Sequence, residues 1–170
     1  MPRFLKGLLK GLAWSAAAVV VLVAVILIAV RLSDGPLGFG PLELLPSGEM
    51  RSGEWGPDEL ADWSFVHEVD TIELQSGGRT RKTWIVALDG RAYIPCGLGI
   101  GIPKRWHLAA LEDPRAVVRI EGLRYRRSLQ RVEDAELLPK LVDAVLEKYP
   151  PLPSRPGAES WFFRLDAPLS

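Results

Sequence analysis

Between Lys10 and Arg31 the chain runs for 20 positions without an ionisable side chain. Most of these residues are Ala, Val, Leu or Ile. As a helix, a run of that length rises roughly 30 Å at about 1.5 Å per residue, the hydrocarbon thickness of a bilayer. A helix also satisfies its own backbone hydrogen bonds, as lipid requires. Trp14 lies near the N-terminal boundary, where an indole N–H can stay among headgroups. Arg3, Lys6 and Lys10 precede the run, whereas Asp34 and Glu43 follow Arg31. The positive flank is therefore N-terminal and is expected to stay cytoplasmic. The competing reading is a cleaved signal peptide, whose apolar region is shorter and ends in a small-x-small site. Ala29-Val30-Arg31 suits cleavage poorly, and no cysteine for a lipoprotein follows, since the single Cys is Cys96. The expectation is a basic tip at 1–10 and an uncleaved single-pass anchor at 11–31. The bilayer is the partner of that anchor, and the C-terminal part lies outside the cytoplasm of a cell-membrane protein.

The rest of the chain is mildly acidic. Residues 1–31 hold four of the 21 basic residues and no acid, leaving 17 against 21 acidic residues, a net of −4. That balance excludes nucleic acid as a general partner, because phosphate binding needs a basic excess. One cysteine excludes an internal disulfide scaffold and a Cys-rich zinc module, and two histidines argue against a His-based metal site. No metal is expected.

Residues 32–62 contain ten Gly or Pro, a density that interrupts any regular element. They read as a linker, or as an extended arm packed through Leu42, Leu44, Leu45 and Trp55. The domain at 63–170 reads mainly as strands. Segment 71–75 alternates, 80–88 favours a pleated surface, 92–94 returns from Asp89-Gly90, 116–120 pairs with 123–132 across Glu121-Gly122, and 160–165 is the last strand. Six short strands with hairpin turns predict a small antiparallel barrel. Two helices interrupt them, at 103–111 and at 135–149, the second with Leu137, Leu138, Leu141, Val142, Val145, Leu146 and Tyr149 at helical spacing behind Asp134. The fold class is mainly β (α+β): a split barrel with two helices after one transmembrane helix.

The segment 93–106, Tyr-Ile-Pro-Cys-Gly-Leu-Gly-Ile-Gly-Ile-Pro-Lys-Arg-Trp, takes a strand through Gly97, Gly99 and Gly101 into a helix start bearing Lys104 and Arg105. Glycines let backbone amides approach a ligand, and cations beside a helix start favour an anion between them. This is the predicted phosphate cradle. The spacing differs from G-x-G-x-x-G, and no parallel β-α-β pattern surrounds it, which argues against a dinucleotide fold. A solvated glycine-rich loop is the plainer alternative.

The order strand, Asp-Gly turn, strand, loop, then Pro103-Lys-Arg-Trp106-His-Leu-Ala-Ala-Leu-Glu-Asp113-Pro114 and a further hairpin resembles the flavin-binding split barrels. These are the pyridoxamine-phosphate-oxidase-like proteins and the deazaflavin-dependent nitroreductases. The resemblance covers about residues 63–150 and rests on a pattern of elements with one short motif. It implies a cofactor phosphate at Lys104 and Arg105, beside Gly97, Gly99 and Trp106. It places an isoalloxazine-like ring along the strand carrying Thr80, Lys82, Thr83 and Trp84. It further implies FMN or a deazaflavin as cofactor, reductase activity, and a homodimer. The alternative is a non-catalytic envelope module of the same barrel without any cofactor.

Other residues invite a role without fixing one. His67 beside Glu68 and Asp70 makes a poor dyad on a strand. His107 is a candidate proton donor or a partly buried helix residue. Cys96 is a candidate thiol or a small buried side chain. Arg115, Arg119, Arg124, Arg126, Arg127 and Arg131 crowd one hairpin, as a surface for anionic headgroups or an acidic partner, or as a solvated edge. Trp161-Phe162-Phe163 reads as core and barrel closure, or as a dimer contact if exposed.

Overall fold

The computed structural model describes residues 3–38, 45–97, 105–149 and 160–169. Helix α1 (Arg3–Leu32) is followed by β1 (Glu54–Trp55), a 3-10 turn at Ser64–Glu68, β2 (Ile72–Ser76), β3 (Arg79–Thr83), β4 (Val86–Leu88) and β5 (Arg91–Gly97). Then come α2 (Trp106–Glu112), β6 (Arg115–Ile120), β7 (Leu123–Arg131), α3 (Leu137–Lys148) and β8 (Ser160–Asp166). α1 contains one apolar stretch, Lys10–Leu32, long enough to cross a membrane.

Three two-residue hairpins form where glycine marks them. Gly77-Gly78, Asp89-Gly90 and Glu121-Gly122 all have positive φ at both positions. That is the backbone of a type I′ turn, whose twist matches the strands it joins. The registers agree, with Ser76 opposite Arg79, Leu88 opposite Arg91 and Ile120 opposite Leu123.

The sheet order is β3-β2-β6-β7-β8-β5-β4, antiparallel throughout, with β1 added in parallel to β7. The two outer strands of this path are consecutive in sequence, separated only by Trp84 and Ile85. Three Cα steps reach at most about 11 Å. Seven flat strands would hold their edges roughly 29 Å apart. The chain itself therefore forces the sheet to curl until its edges meet at Trp84-Ile85, giving the split barrel. The predicted continuous strand over 80–88 is two strands for this reason, which with β1 raises six strands to eight. The split is sealed by the end of α3. Lys148 Nζ donates to the carbonyls of Val66, Val69 and Ile85, while Tyr149 Oη accepts from Ile85 N and has the Asp70 and Ile85 carbonyls, each at 2.8 Å, as the two acceptors within reach of its single proton. Burial pushes the Tyr149 hydroxyl up to about 12 and lowers Lys148.

Alternation on β8 feeds two cores. Phe163 joins Ile72, Leu74, Ile94, Val118 and Trp106 inside the barrel. Phe162 faces the other way, against Val86, Tyr93, Leu141 and Val145, because α3 covers the outer face of that part of the sheet. Both phenylalanines are fully buried, so the segment is core. Pro139 falls in the first turn of α3, where no amide partner is needed. Asp134 Oδ1 accepts from the Glu136 and Leu137 amides at 2.8 and 3.2 Å.

The Gly/Pro-rich segment packs as an arm over its described residues, 45–62. Ser47 N donates to Thr80 O at 2.8 Å, Met50 N to Gln75 Oε1 at 2.6 Å and Gly56 N to Arg124 O at 2.8 Å. The arginines of the β6–β7 hairpin hold this arm. Arg124 and Arg126 stack on Trp55 at 4.1 and 3.9 Å. Arg127, 3% exposed, lies between Trp63 and Tyr125 and donates to the carbonyls of Pro57 and Asp58. Burial lowers its pKa. Much of the basic cluster is thus internal stapling.

The end of α1 also packs on the domain. Val30 is 3% exposed, and Arg31 donates to Gly78 O at 3.2 Å. Gly48 passes so close that an added Cβ would stand 2.5 and 2.6 Å from the carbonyls of Arg31 and Ser33. Asp34 accepts from the Arg51 and Ser52 amides and pairs with Arg119, which also holds Glu73 at 2.5 Å. Burial alone would raise the Asp34 carboxyl, but these hydrogen bonds and the Arg119 charge hold it at about 2.

Candidate functional site

Three segments converge at one end of the barrel: β3 through Arg81, the end of β5 through Cys96 and Gly97, and the first turn of α2 through Trp106 and His107. Register explains their meeting. Arg81 pairs with buried Leu74, so its side chain takes the inner face of β3, along with Arg79 and Thr83. The Arg81 guanidinium lies over the Trp106 ring at 5.7 Å. Its Nε is buried with no hydrogen-bond partner among the described residues. Burial and the neighbouring Arg79 lower its pKa to about 10, with Cys96 acting the other way. It is still a cation at neutral pH. Trp106 packs on Phe163 at 5.1 Å, His107 meets Trp161 edge-on at 5.0 Å, and Arg131 covers Trp161 at 3.7 Å. The result is two guanidiniums framing a cluster of aromatic rings. Charge and flat apolar faces together suit an anionic aromatic ligand.

The nominated residues distribute as follows. Trp106 is buried and Gly97 ends β5, both at this cluster. Arg105 is exposed immediately before α2. Thr83 is half-buried on the same face of β3 as Arg81, whereas Lys82 is exposed on the opposite face. Lys104 and Gly99 lie outside the described residues, as does the predicted start of the helix at 103. The described helix begins at Trp106 and has seven residues. Thr80 is fully buried under the arm, and Trp84 stacks on Tyr149 at 4.7 Å.

His67 is exposed on a 3-10 turn and not on a strand. Cys96 is fully buried, and His107 is 7% exposed, so both belong to the packed interior. Among the described residues no group of His, Cys, Asp or Glu could hold a metal ion. Arg81 lies outside the Lys104–Arg105 cradle, on β3. Its signal was a cation at an inward-alternating position of a strand, where an apolar residue is the ordinary occupant.

No protein-family model and no curated protein matches the sequence. Among solved structures, the chain is similar to conserved hypothetical protein Rv2991 from Mycobacterium tuberculosis. The identity is 16%, with a TM-score of 0.52, over 66% of this chain and 86% of that one. A second is the protein Atu2129 of unknown function from Agrobacterium tumefaciens str. C58, at 16% identity and a TM-score of 0.43, over 61% of this chain and 51% of that one. The first likeness concerns the fold alone.

Proposed function

We propose that this chain is a single-pass membrane protein with a cytoplasmic N-terminus, whose split barrel binds a flavin-type cofactor at the Arg81–Trp106 end as a membrane-tethered reductase. The observation that carries the reading is the Arg81 guanidinium, held over Trp106 with its Nε unsatisfied. A buried donor left without an acceptor is costly, and a phosphate oxygen would relieve it. Thr83 offers a hydroxyl on the same face of β3. Trp106 offers a flat ring, and Gly97 a backbone open to close approach. Arg105, with Lys104 beside it in sequence, adds positive charge. When bound, FMN or a deazaflavin would supply the hydride chemistry, and the chain would anchor its phosphate and orient its ring.

Cofactor-stripped full-length protein titrated with FMN and with a deazaflavin tests this. A charge-assisted hydrogen bond contributes about 1.5–3 kcal/mol, and each 1.4 kcal/mol is tenfold in affinity. Arg81→Met should therefore weaken binding at least tenfold. Lys104→Ala with Arg105→Ala should weaken it about a hundredfold. Neither cofactor binding the wild-type chain would favour a non-catalytic envelope module. One observation supports that second reading: Phe163 and Trp106 are buried inside the barrel and fill its interior. Two surface grooves formed by described residues lie elsewhere, around Trp63 and Arg164 and around Ile28 and Arg79.

The packed exit of α1 supports an uncleaved anchor, since cleavage after Ala29 or Arg31 would cut at the residues that dock on Gly48 and Gly78. A C-terminal reporter active only outside the cytoplasm should be active, and the membrane fraction should carry the full-length mass. A silent reporter at normal expression would reverse the orientation.

A further inference from the structure

We infer that the groove between the last turns of α1 and the β2–β3 hairpin is a binding site for an anionic phospholipid, in the leaflet where α1 leaves the membrane. The inference rests on α1 being retained as an anchor. The groove has a volume of about 490 Å³, and its walls are Leu27 and Ile28 of α1, Leu45 and Pro46 of the arm, and the two cations Arg31 and Arg79.

Depth and charge both select the occupant. Leu27 and Ile28 precede Arg31 by four and three residues, which on a helix is about 4.5–6 Å along the axis. The headgroup region on each side of a bilayer is about 5–7 Å thick. A phosphate level with Arg31 and Arg79 therefore sets the start of an acyl chain against Leu27, Ile28 and Leu45. Arg31 is fixed by its bond to Gly78 O, next to Arg79, which stands at the exposed start of β3, and both arginines line the groove. Arg79 is exposed, and no ion pair holds it among the described residues. Glu49 approaches Gly78 without lining the groove, and the described lining holds two arginines and no carboxylate. A zwitterionic lipid would bring its own cation to those arginines and gain less.

Native mass spectrometry of the detergent-solubilised full chain, with equal phosphatidylglycerol and phosphatidylcholine, tests the site. Wild-type protein should retain phosphatidylglycerol at least tenfold over phosphatidylcholine. Arg79→Gln should bring the ratio to near one, while Arg91→Gln, at an exposed position on β5, should leave it unchanged. Millimolar inorganic phosphate should not displace the lipid. Equal retention by the wild type, an unchanged ratio in Arg79→Gln, or displacement by phosphate would each overturn the site on an intact chain. A mass lacking residues 1–31 would overturn the anchor and the lipid site together.

Discussion

Phe163→Ala should cost about 3–5 kcal/mol of stability, the range for emptying a buried phenylalanine site. Phe163 is fully buried against the Trp106 ring, on a strand paired on both sides, so the cavity has little freedom to collapse. With a total stability of about 5–15 kcal/mol for a domain, the change removes a large share. The thermal midpoint of the full chain in detergent should fall by about 10 °C or more, read by circular dichroism. Phe163→Leu should recover most of the loss, because a side chain closer in volume leaves a smaller void. A fall of only a degree or two in the alanine variant would mean that the inner core is packed differently.

Arg127→Ala is the second large effect, expected at about 2–4 kcal/mol. The variant loses charge-assisted hydrogen bonds to Pro57 O and Asp58 O and the stacking with Trp63 and Tyr125. It also frees the arm, so limited proteolysis within 45–62 should speed up at least tenfold. Arg127→Lys should not rescue it, since an ammonium lacks the planar fork that reaches both carbonyls while lying on a ring. Arg115→Ala, at an exposed side chain that pairs with Asp113 outside the arm, should leave cleavage nearly unchanged. Equal cleavage in Arg127→Ala and wild type would show that the arm is held by other contacts.

Much of the fold was legible because its signals are local. Gly77-Gly78, Asp89-Gly90 and Glu121-Gly122 write their turns in adjacent residues, and α3 shows its apolar stripe at helical spacing. The break at Trp84-Ile85 was not legible. Both residues suit a strand, no Gly or Pro marks the spot, and the sheet changes edge there only because α3 returns Lys148 and Tyr149 to take up the freed backbone groups. The arm was half legible: Gly and Pro said that it was irregular, but the arginines that hold it lie some 70 positions downstream. In the candidate site the sequence pointed to Gly97 and Trp106 through their unusual loop. The weight of Arg81 among the basic residues of β3 depends on which face of the strand turns inward, a matter decided by pairing with Leu74.

The position of β8 bears on when this domain can form at all. In the sheet, β8 lies between β7 and β5, with no other ladder joining the β3-β2-β6-β7 half to the β5-β4 half among the described residues. The strand that completes the barrel is thus made after every other described strand. Until residues 160–166 arrive, the nascent chain presents two unpaired strand edges, the kind of surface that invites association between chains. Closure of the barrel therefore waits on residues 160–166, and a chain cut before Ser160 is left with two half-sheets instead of a shortened barrel.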